Sequence, residues 1–194
     1  MRDKQIFDDY QKKAKTYKTM LLVAIISMSM MFAGLISAVI VSKSRPDWLS
    51  DFELPSVFLV STIVIIISSL TFHMGLKNIK KDQRSKTTMF LWLTLALGFV
   101  FVILQFVGFD QVIQNGFYFT GPQSNVTTSF LYIIVIMHLA HLFAGTISLL
   151  IVIYNHYKQK YTSSQPLGIE LSAMFWHFLG ILWLILFLSL YFIE

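Results

Sequence analysis

The chain alternates between long apolar stretches and short polar ones. Each apolar stretch is about 20 residues long, which is the length that an α-helix needs to cross the hydrocarbon core of a bilayer. The stretches fall at about 19–41, 55–75, 87–109, 129–154 and 168–193. The pattern predicts an all-α, polytopic membrane protein: one transmembrane domain of five helices over residues 19–194, preceded by a basic N-terminal arm over residues 1–18.

Composition supports this fold class. Of the 194 residues 56% are hydrophobic and only 13% are charged, and the mean hydropathy is +0.67. A water-soluble core of this size could not hide so much apolar surface, so the excess is expected to face lipid. The chain has no cysteine, which excludes disulfides, thiolate metal ligands and a cysteine nucleophile.

The basic residues predict the orientation of the helices. The N-terminal arm, the second loop and the fourth loop hold six, five and two Lys and Arg residues, whereas the first and third loops hold two and none. By the positive-inside rule the N-terminus is predicted in the cytoplasm and the C-terminus outside. The net charge of +5 is thus explained by membrane topology, and we expect no nucleic-acid partner.

Several polar side chains lie inside the predicted spans, where burial in lipid is costly. In the fourth span His138, His141 and Gly145 recur on one face of a helix. The second, third and fifth spans carry similar stripes: Ser68, Thr71 and Gly75; Thr94, Gly98, Phe101 and Gln105; Glu170, Ala173, His177 and Gly180. Small residues beside hydrogen-bonding groups are typical of closely packed membrane helices. We therefore favour interhelical packing as the role of the two histidines.

Three chemical interpretations stay open beside packing. A metal ion could be held by His138 and His141 if Glu170 and His177 completed its ligand set. A haem could be held between His177 and a histidine of the fourth span at matching depth, although Trp176 would crowd it. A proton relay could begin at Glu170, at the predicted cytoplasmic edge. For Glu170 we favour the simpler role of a carboxylate stabilised by the first turn of its helix.

The same residues carry a resemblance to a known family. The stretch "SFLYIIVIMHLAHLFAG" resembles the signature of subunit III of the haem-copper respiratory oxidases. Its matching positions are Ser129, His138, His141 and Gly145. The last span, "GIELSAMFWHFLGILWLILFLSLY", is similar to the closing segment of that family. Its matching positions are Gly168, Glu170, Ala173, Trp176, His177, Phe178, Trp183, Phe187 and Tyr191.

Upstream, "LWLTLALGFVFVILQ" is similar to the family's preceding span. Its matching positions are Thr94, Gly98, Phe101 and Gln105. The stretch "SSLTFHMG" resembles the family helix that carries S-S-x-T. With five spans, the chain resembles the short bacterial form of cytochrome c oxidase subunit III.

The resemblance implies a non-redox accessory subunit of a proton-pumping terminal oxidase in a bacterial plasma membrane. Such a subunit holds no haem or copper, packs against catalytic subunit I beside subunit II, binds phospholipid in a cleft and supports proton uptake. By matching position, the structural and lipid-cleft residues would be His138, His141, Glu170, Trp176, His177 and Gln105. No catalytic, metal-binding or cofactor-binding residue is expected in this chain.

The identity of the electron donor and of larger assemblies is less constrained. We expect the cytochrome c type of oxidase, with a quinol oxidase subunit III as the alternative and a larger respiratory supercomplex left open. From another class, a haem-bearing membrane anchor of a dehydrogenase would use similar histidines.

The chain departs from the family pattern at three positions. Met28, Gly108 and Gly180 stand where relatives often carry carboxylates. A proton-carrying role at these positions is therefore not expected. With fewer buried carboxylates to satisfy, this chain should depend more on apolar packing.

Overall fold

The protein is built from five long α-helices. The computed structural model describes residues 2–45, 48, 54–116, 119, 126–163 and 165–193, with the backbone alone at 2–7 and 193. The helices are α1 (Arg2–Ser42), α2 (Val57–Lys80), α3 (Arg84–Gln114), α4 (Val126–Tyr157) and α5 (Leu167–Ile193). Within these ranges the only extended pairing is an isolated bridge between Thr162 and Gln165. The predicted all-α fold is confirmed.

Each helix is long and apolar enough to cross a membrane. The predicted number of five membrane-length helices is therefore confirmed. Helices α1 to α4 include polar residues beyond their apolar stretches, whereas α5 adds only Leu167. The largest extension is at the N-terminus, where α1 begins at Arg2 and runs without a break through the basic arm into the first span. Lysine, glutamine, arginine and alanine in this arm all favour a helix, so the helix begins well before the apolar stretch.

Four of the helices form a closed ring. Helix α2 packs on α3, α3 on α4, α4 on α5, and α5 on α2. The core between them is aromatic and fully buried, with Phe58 and Phe72 from α2, Phe101 from α3, and Trp176 and Trp183 from α5. Because the whole ring surrounds one core, polar side chains that point inward meet each other and not lipid.

Helix α1 lies outside this ring, packed within the described residues against α4 and α5 alone. A small second cluster joins it to them through Phe32 and Val39, which meet Ile134, Leu182 and Leu186. Only 11% of the most apolar window of α1 is buried inside the protein, against 33% to 50% for the other four helices. The ring is thus the compact unit, and α1 is attached to one side of it.

One end of the bundle is rich in basic residues. At this end α1, α3 and α5 begin while α2 and α4 terminate. The Arg84 guanidinium donates a hydrogen bond to the Tyr161 carbonyl across 2.9 Å, and Thr88 Oγ1 lies 2.9 Å from His156 Nε2. These contacts hold the α2–α3 and α4–α5 connections together. We call this the basic end, which corresponds to the predicted cytoplasmic side.

Candidate functional site

The interior of the ring contains a row of hydroxyl groups on α2. Ser61 and Thr62 are followed seven residues later by Ser68 and Ser69, and then by Thr71. Seven residues are close to two helical turns, so these pairs lie on one side of α2, facing α3 and α5. We call Ser61, Thr62, Ser68, Ser69 and Thr71 the hydroxyl row; each binds a side chain from a neighbouring helix.

The central contact of the row joins α2, α3 and α5. Trp176 is 1% exposed, and its indole Nε1 donates to Ser68 Oγ across 3.1 Å. Ser68 Oγ in turn donates to the Thr94 carbonyl across 3.2 Å. The Trp176 ring lies directly over Gly98, where an added Cβ would be only 2.9 Å from a ring carbon. A glycine on α3 therefore makes the space that lets this indole reach α2.

Two parallel contacts extend the row. At one level Thr71 Oγ1 lies 2.9 Å from Thr94 Oγ1. Towards the other end Trp183 Nε1 donates to Thr62 Oγ1 across 2.9 Å. An indole or hydroxyl donor inside a membrane protein is stabilised by such an acceptor because lipid offers none. The hydroxyl row thus satisfies both buried tryptophans of α5.

Gln105 completes the row at the far end. Its Nε2 donates to Ser61 Oγ across 2.8 Å, and the residue is fully buried. Its other polar atom, Oε1, is buried and has no hydrogen-bond partner among the described residues. The site residue Gln105 is therefore an interhelical contact between α3 and α2.

His138 lies in the aromatic core. It is fully buried, with its ring centroid 5.1 Å from Trp183 and 6.0 Å from Phe101. Neither ring nitrogen has a hydrogen-bond partner within the described part of the chain. His138 therefore joins α4 to α3 and α5 by ring packing, and its polar atoms contribute no bond to that contact.

His141 serves a different neighbour. Its Nδ1–H donates to the Met137 carbonyl of its own helix across 2.7 Å, and its ring meets Phe32 of α1 edge-on at 5.5 Å. The two histidines are three residues apart, yet the His138 imidazole packs in the core between α2, α3, α4 and α5, whereas the His141 imidazole contacts α1. They share one helix without converging on one point.

His177 contacts α2. Its Nδ1 forms a short hydrogen bond with Ser69 Oγ, and its ring lies 6.5 Å from Phe72 and 6.0 Å from His73. His73 is exposed and His177 is half-buried, so this pair reaches the outer surface of the α2–α5 contact. His177 and His138 therefore face different helices.

Glu170 holds three helices at the basic end. Its two carboxylate oxygens each lie 2.6 Å from an ammonium nitrogen, Lys18 Nζ of α1 and Lys80 Nζ of α2. Glu170 is in the first turn of α5, where the helix dipole also favours a negative charge. The carboxylate thus combines the expected dipole interaction with two ion pairs between helices.

These positions bear on the open chemical interpretations. No group of three or more His, Cys, Asp or Glu side chains among the described residues could hold a metal ion. His138 and His141 face different neighbours, as do His138 and His177. The geometry therefore brings together neither the proposed metal-ligand set nor a facing pair of haem ligands from α4 and α5.

Apolar side chains occupy the surroundings of two positions, Gly108 and Gly180, where the family resemblance led us to note missing carboxylates. Phe58 covers Gly108 so closely that an added Cβ would be 2.8 Å from its ring. Gly180 faces Ile65 at an ordinary contact distance of 3.8 Å. Met28 is half-exposed on α1. At Gly108 in particular, an aromatic ring fills the space that a longer side chain would need.

Some of these contacts were absent from the sequence analysis. Ser68, Ser69 and Thr71 belong to the S-S-x-T stretch noted in the sequence, whereas Ser61 and Thr62 were not predicted, although the seven-residue spacing of two adjacent hydroxyl pairs was a usable signal. Both lysines that bind Glu170 were likewise not predicted as its partners. Their signal was weaker, since the sequence places many basic residues at the same predicted edge without indicating which of them meet.

Comparisons with known proteins extend these observations. A family model described as cytochrome c oxidase subunit III matches residues 9–194. The chain is 30% identical over 175 residues to cytochrome c oxidase subunit 3 of Thermostichus vulcanus, covering 88% of this chain and 84% of that protein. It is 29% identical over 146 residues to cytochrome bo(3) ubiquinol oxidase subunit 3 of Pseudomonas aeruginosa, covering 75% and 68%. With cytochrome c oxidase subunit 3 of Petromyzon marinus it shares 31% identity over 146 residues, covering 74% of this chain and 51% of that protein, so it matches about half the length of that relative.

Proposed function

Because the chain belongs to the cytochrome c oxidase subunit III family, we propose that it is the non-redox accessory subunit III of a proton-pumping haem-copper terminal oxidase in a bacterial plasma membrane. The match over residues 9–194 carries this proposal, since it includes all five membrane helices. The chain is a multi-pass membrane protein, and a subunit III associates with other oxidase subunits. The partners that we propose are catalytic subunit I and subunit II. The purification described below would also show whether the oxidase belongs to a respiratory supercomplex. A haem-bearing dehydrogenase anchor is not favoured by the comparisons.

The contacts of the site residues support a scaffolding role. Trp176, Gln105 and His177 bind hydroxyl groups of α2, and Glu170 binds lysines of α1 and α2. A side chain already committed to a neighbouring helix stabilises the bundle. We therefore propose that the polar residues hold a rigid helical body against the catalytic subunit, which supports proton uptake there by stabilising its structure. Binding of phospholipid along the helices, with His138 and His141 near the cleft that the family resemblance implies, is part of the same proposal.

The first test is purification of the tagged chain from its native membrane in mild detergent. Mass analysis and an optical spectrum are recorded on the same sample, with another tagged multi-pass protein from that membrane as the control. Haem-copper oxidase subunits should co-purify with this chain and not with the control protein. When this chain is separated from those subunits, the haem absorbance should stay with the subunits. Haem retained on the isolated chain, or co-purification of a dehydrogenase, would refute the proposal.

The electron donor is tested on the same complex. We propose the cytochrome c type, which the family description and the Thermostichus vulcanus relative support. The Pseudomonas aeruginosa relative supports the quinol type. Oxygen uptake driven by reduced cytochrome c, with little or none driven by ubiquinol, is the expected result. The reverse preference would assign the chain to a quinol oxidase.

The supporting role is tested by removing this subunit from the oxidase and measuring turnover until activity is lost. The oxidase without subunit III should start at a comparable rate and inactivate after fewer turnovers, and adding the purified chain back should restore its endurance. Equal endurance with and without the chain would contradict the role in proton uptake while leaving the family assignment intact.

A further inference from the structure

A groove rich in lysine lies at the basic end, on the outer side of the α2–α3 hairpin. It has a volume of about 540 Å³, and Lys77, Lys81 and Lys86 are among the residues that line it. Asn78 and the apolar side chains of Met74, Met89 and Phe90 line the rest of its length. Lys77 and Lys81 follow Met74 in steps of three and four residues, and Met89 and Phe90 follow Lys86 by three and four, so each set lies on one face. We call this feature the lysine groove.

The charges of the groove are available for an external ligand. All three lysines are exposed, and none forms an ion pair with a carboxylate in the described part of the chain. Lys80, in the same helical turn of α2, differs because it points towards α5 and binds Glu170. Asp82 is in the connecting loop but does not line the groove. The three positive charges are therefore not neutralised by the protein around them.

The start of α3 adds to this positive potential. Helix α3 begins at Arg84, and the preceding Gln83 provides no side-chain hydrogen bond to cap it. The N-terminus of a helix carries a partial positive charge and free amide donors, which favour an anion nearby. The groove thus has three ammonium groups, one of which, that of Lys86, belongs to the first turn of α3.

The apolar residues of the groove lie deeper in the membrane. Met74 precedes Lys77 by three residues on α2, and Met89 follows Lys86 by three on α3. At 1.5 Å per residue each methionine is about 4.5 Å further from the basic end than its lysine. Met74 and Met89 are 50% and 63% exposed. The groove is therefore cationic at the membrane edge and apolar below it, which is the polarity of a phospholipid in the same leaflet.

We propose that the lysine groove binds an anionic phospholipid, with its headgroup phosphate on Lys77, Lys81 and Lys86 and its acyl chains along Met74, Met89 and Phe90. Lysine ammonium groups suit a phosphate as point charges. This inference rests on the membrane-embedded oxidase subunit proposed above, and it assigns an anionic lipid to the basic end of α2 and α3, apart from the cleft near His138 and His141.

A second groove near the same end is a weaker candidate. It lies between α1 and α5, is smaller at about 350 Å³, and includes Lys15, Lys18 and Met174. One of its two lysines, Lys18, is already bound to Glu170. The lysine groove therefore carries more positive charge that is not paired with a carboxylate, and it is the better site for an anionic ligand.

Lipid retention by the purified full-length chain tests the proposal. Native mass spectrometry would count phosphatidylglycerol and phosphatidylcholine bound from mixed micelles of equal content. Each lysine near a membrane surface strengthens the binding of anionic lipid. Loss of all three lysines should therefore weaken the binding of phosphatidylglycerol by at least about tenfold. Phosphatidylglycerol should be preferred by wild type, and the variant Lys77→Gln, Lys81→Gln, Lys86→Gln should lose that preference.

The matched control removes three lysines from elsewhere at the basic end. Lys12, Lys13 and Lys160 are exposed and line neither groove, so replacing all three by glutamine should leave lipid retention within about twofold of wild type. A variant with arginine at the three groove positions keeps the charge and should keep phosphatidylglycerol. If the triple variant does not fold, the single charge reversal Lys86→Glu replaces it in the test, and it too should lower retention of phosphatidylglycerol.

Several outcomes would overturn the proposal. These are equal binding of both lipids by wild type, equal losses in the groove and control variants, or loss of oxidase subunits from the groove variant while phosphatidylglycerol stays bound. The last result would assign the groove to a protein partner. Failure of the function proposal is distinguishable, because it would appear as absence of oxidase subunits from the wild-type purification, whatever lipid the chain retains.

Discussion

Replacement of Gly98 by alanine tests the packing on which the site depends. The new methyl group would be 2.9 Å and 3.1 Å from two carbons of the Trp176 ring, whereas favourable carbon contacts lie near 3.5–4.0 Å. The ring cannot easily withdraw because it is fully buried and its Nε1 is bound to Ser68. Overpacking of this kind destabilises a core by about 1–3 kcal/mol. After the gain of about 1 kcal/mol from replacing a helical glycine, we expect a net loss of up to about 2 kcal/mol.

The chain provides a matched control in Gly34. It too lies within a helix, but an added Cβ there has nothing within 4 Å. Gly34→Ala should therefore leave the free energy of unfolding unchanged or raise it by up to about 1 kcal/mol. Reversible unfolding in mixed micelles, followed by circular dichroism, would compare both variants with wild type under one condition. Equal stabilities for the two alanine variants would refute the close approach of Trp176 to α3.

A double-mutant cycle would assign the effect to this pair. Trp176→Phe removes the ring atoms that meet position 98 together with the hydrogen bond to Ser68, so alone it should destabilise the bundle. In that background Gly98→Ala should lose most of its penalty, because the methyl group then enters vacated space. The coupling free energy should be about 1 kcal/mol or more in magnitude. A coupling near zero would mean that the alanine acts elsewhere.

Three further predictions concern stability and are read by the same unfolding assay. Glu170→Gln should lower the free energy of unfolding by about 1 kcal/mol, an amount that shrinks at high salt because both ammonium partners are partly exposed; a salt-independent loss would show that the ion pairs are not its cause. His138→Phe should be neutral or stabilising by up to about 1 kcal/mol, since it removes two buried nitrogens without partners among the described residues; a large loss would reveal a bond to this imidazole. Thr62→Val should destabilise by about 1 kcal/mol through the Trp183 indole it leaves unpaired. Thr146→Val is its control, because among the described residues that hydroxyl binds the carbonyl of Leu142 in its own helix and no other group. Equal effects of the two valine variants would contradict the role of Trp183.

The membrane spans could be predicted closely because a single constraint dominates them. Each must carry about 20 apolar residues, and this pattern is visible along the sequence without any knowledge of packing. The helical arm of α1 was less visible, since Lys, Gln and Ala have helical propensity but no apolar pattern that marks a boundary. For the same reason the observed helices extend beyond the predicted spans, by five residues at Lys80 and by five at Gln114.

The site was partly predictable. Stripes of polar and small residues identified Gln105 and His177 as packing positions, and the family resemblance added Trp176. The structure places each of them against α2. The directions of His138 and His141 were not predictable, because three residues along a helix leave about 60° between side chains. That angle decides which neighbour each ring meets. It depends on where α1 packs, and α1 has few buried positions to indicate its neighbours in the sequence.

The length of α1 has a mechanical consequence. At 41 residues it is about 60 Å long, roughly twice the hydrocarbon thickness of a bilayer. Lys18 is bound to Glu170 at the basic end, so residues 2–17 extend the helix by about 24 Å beyond that ion pair. With the ion pair as pivot, a tilt of about 10° displaces the tip by about 4 Å. A small shift at this carboxylate is thereby enlarged at the first residues of the chain, as is any shift of the Phe32 and Val39 cluster that also holds α1.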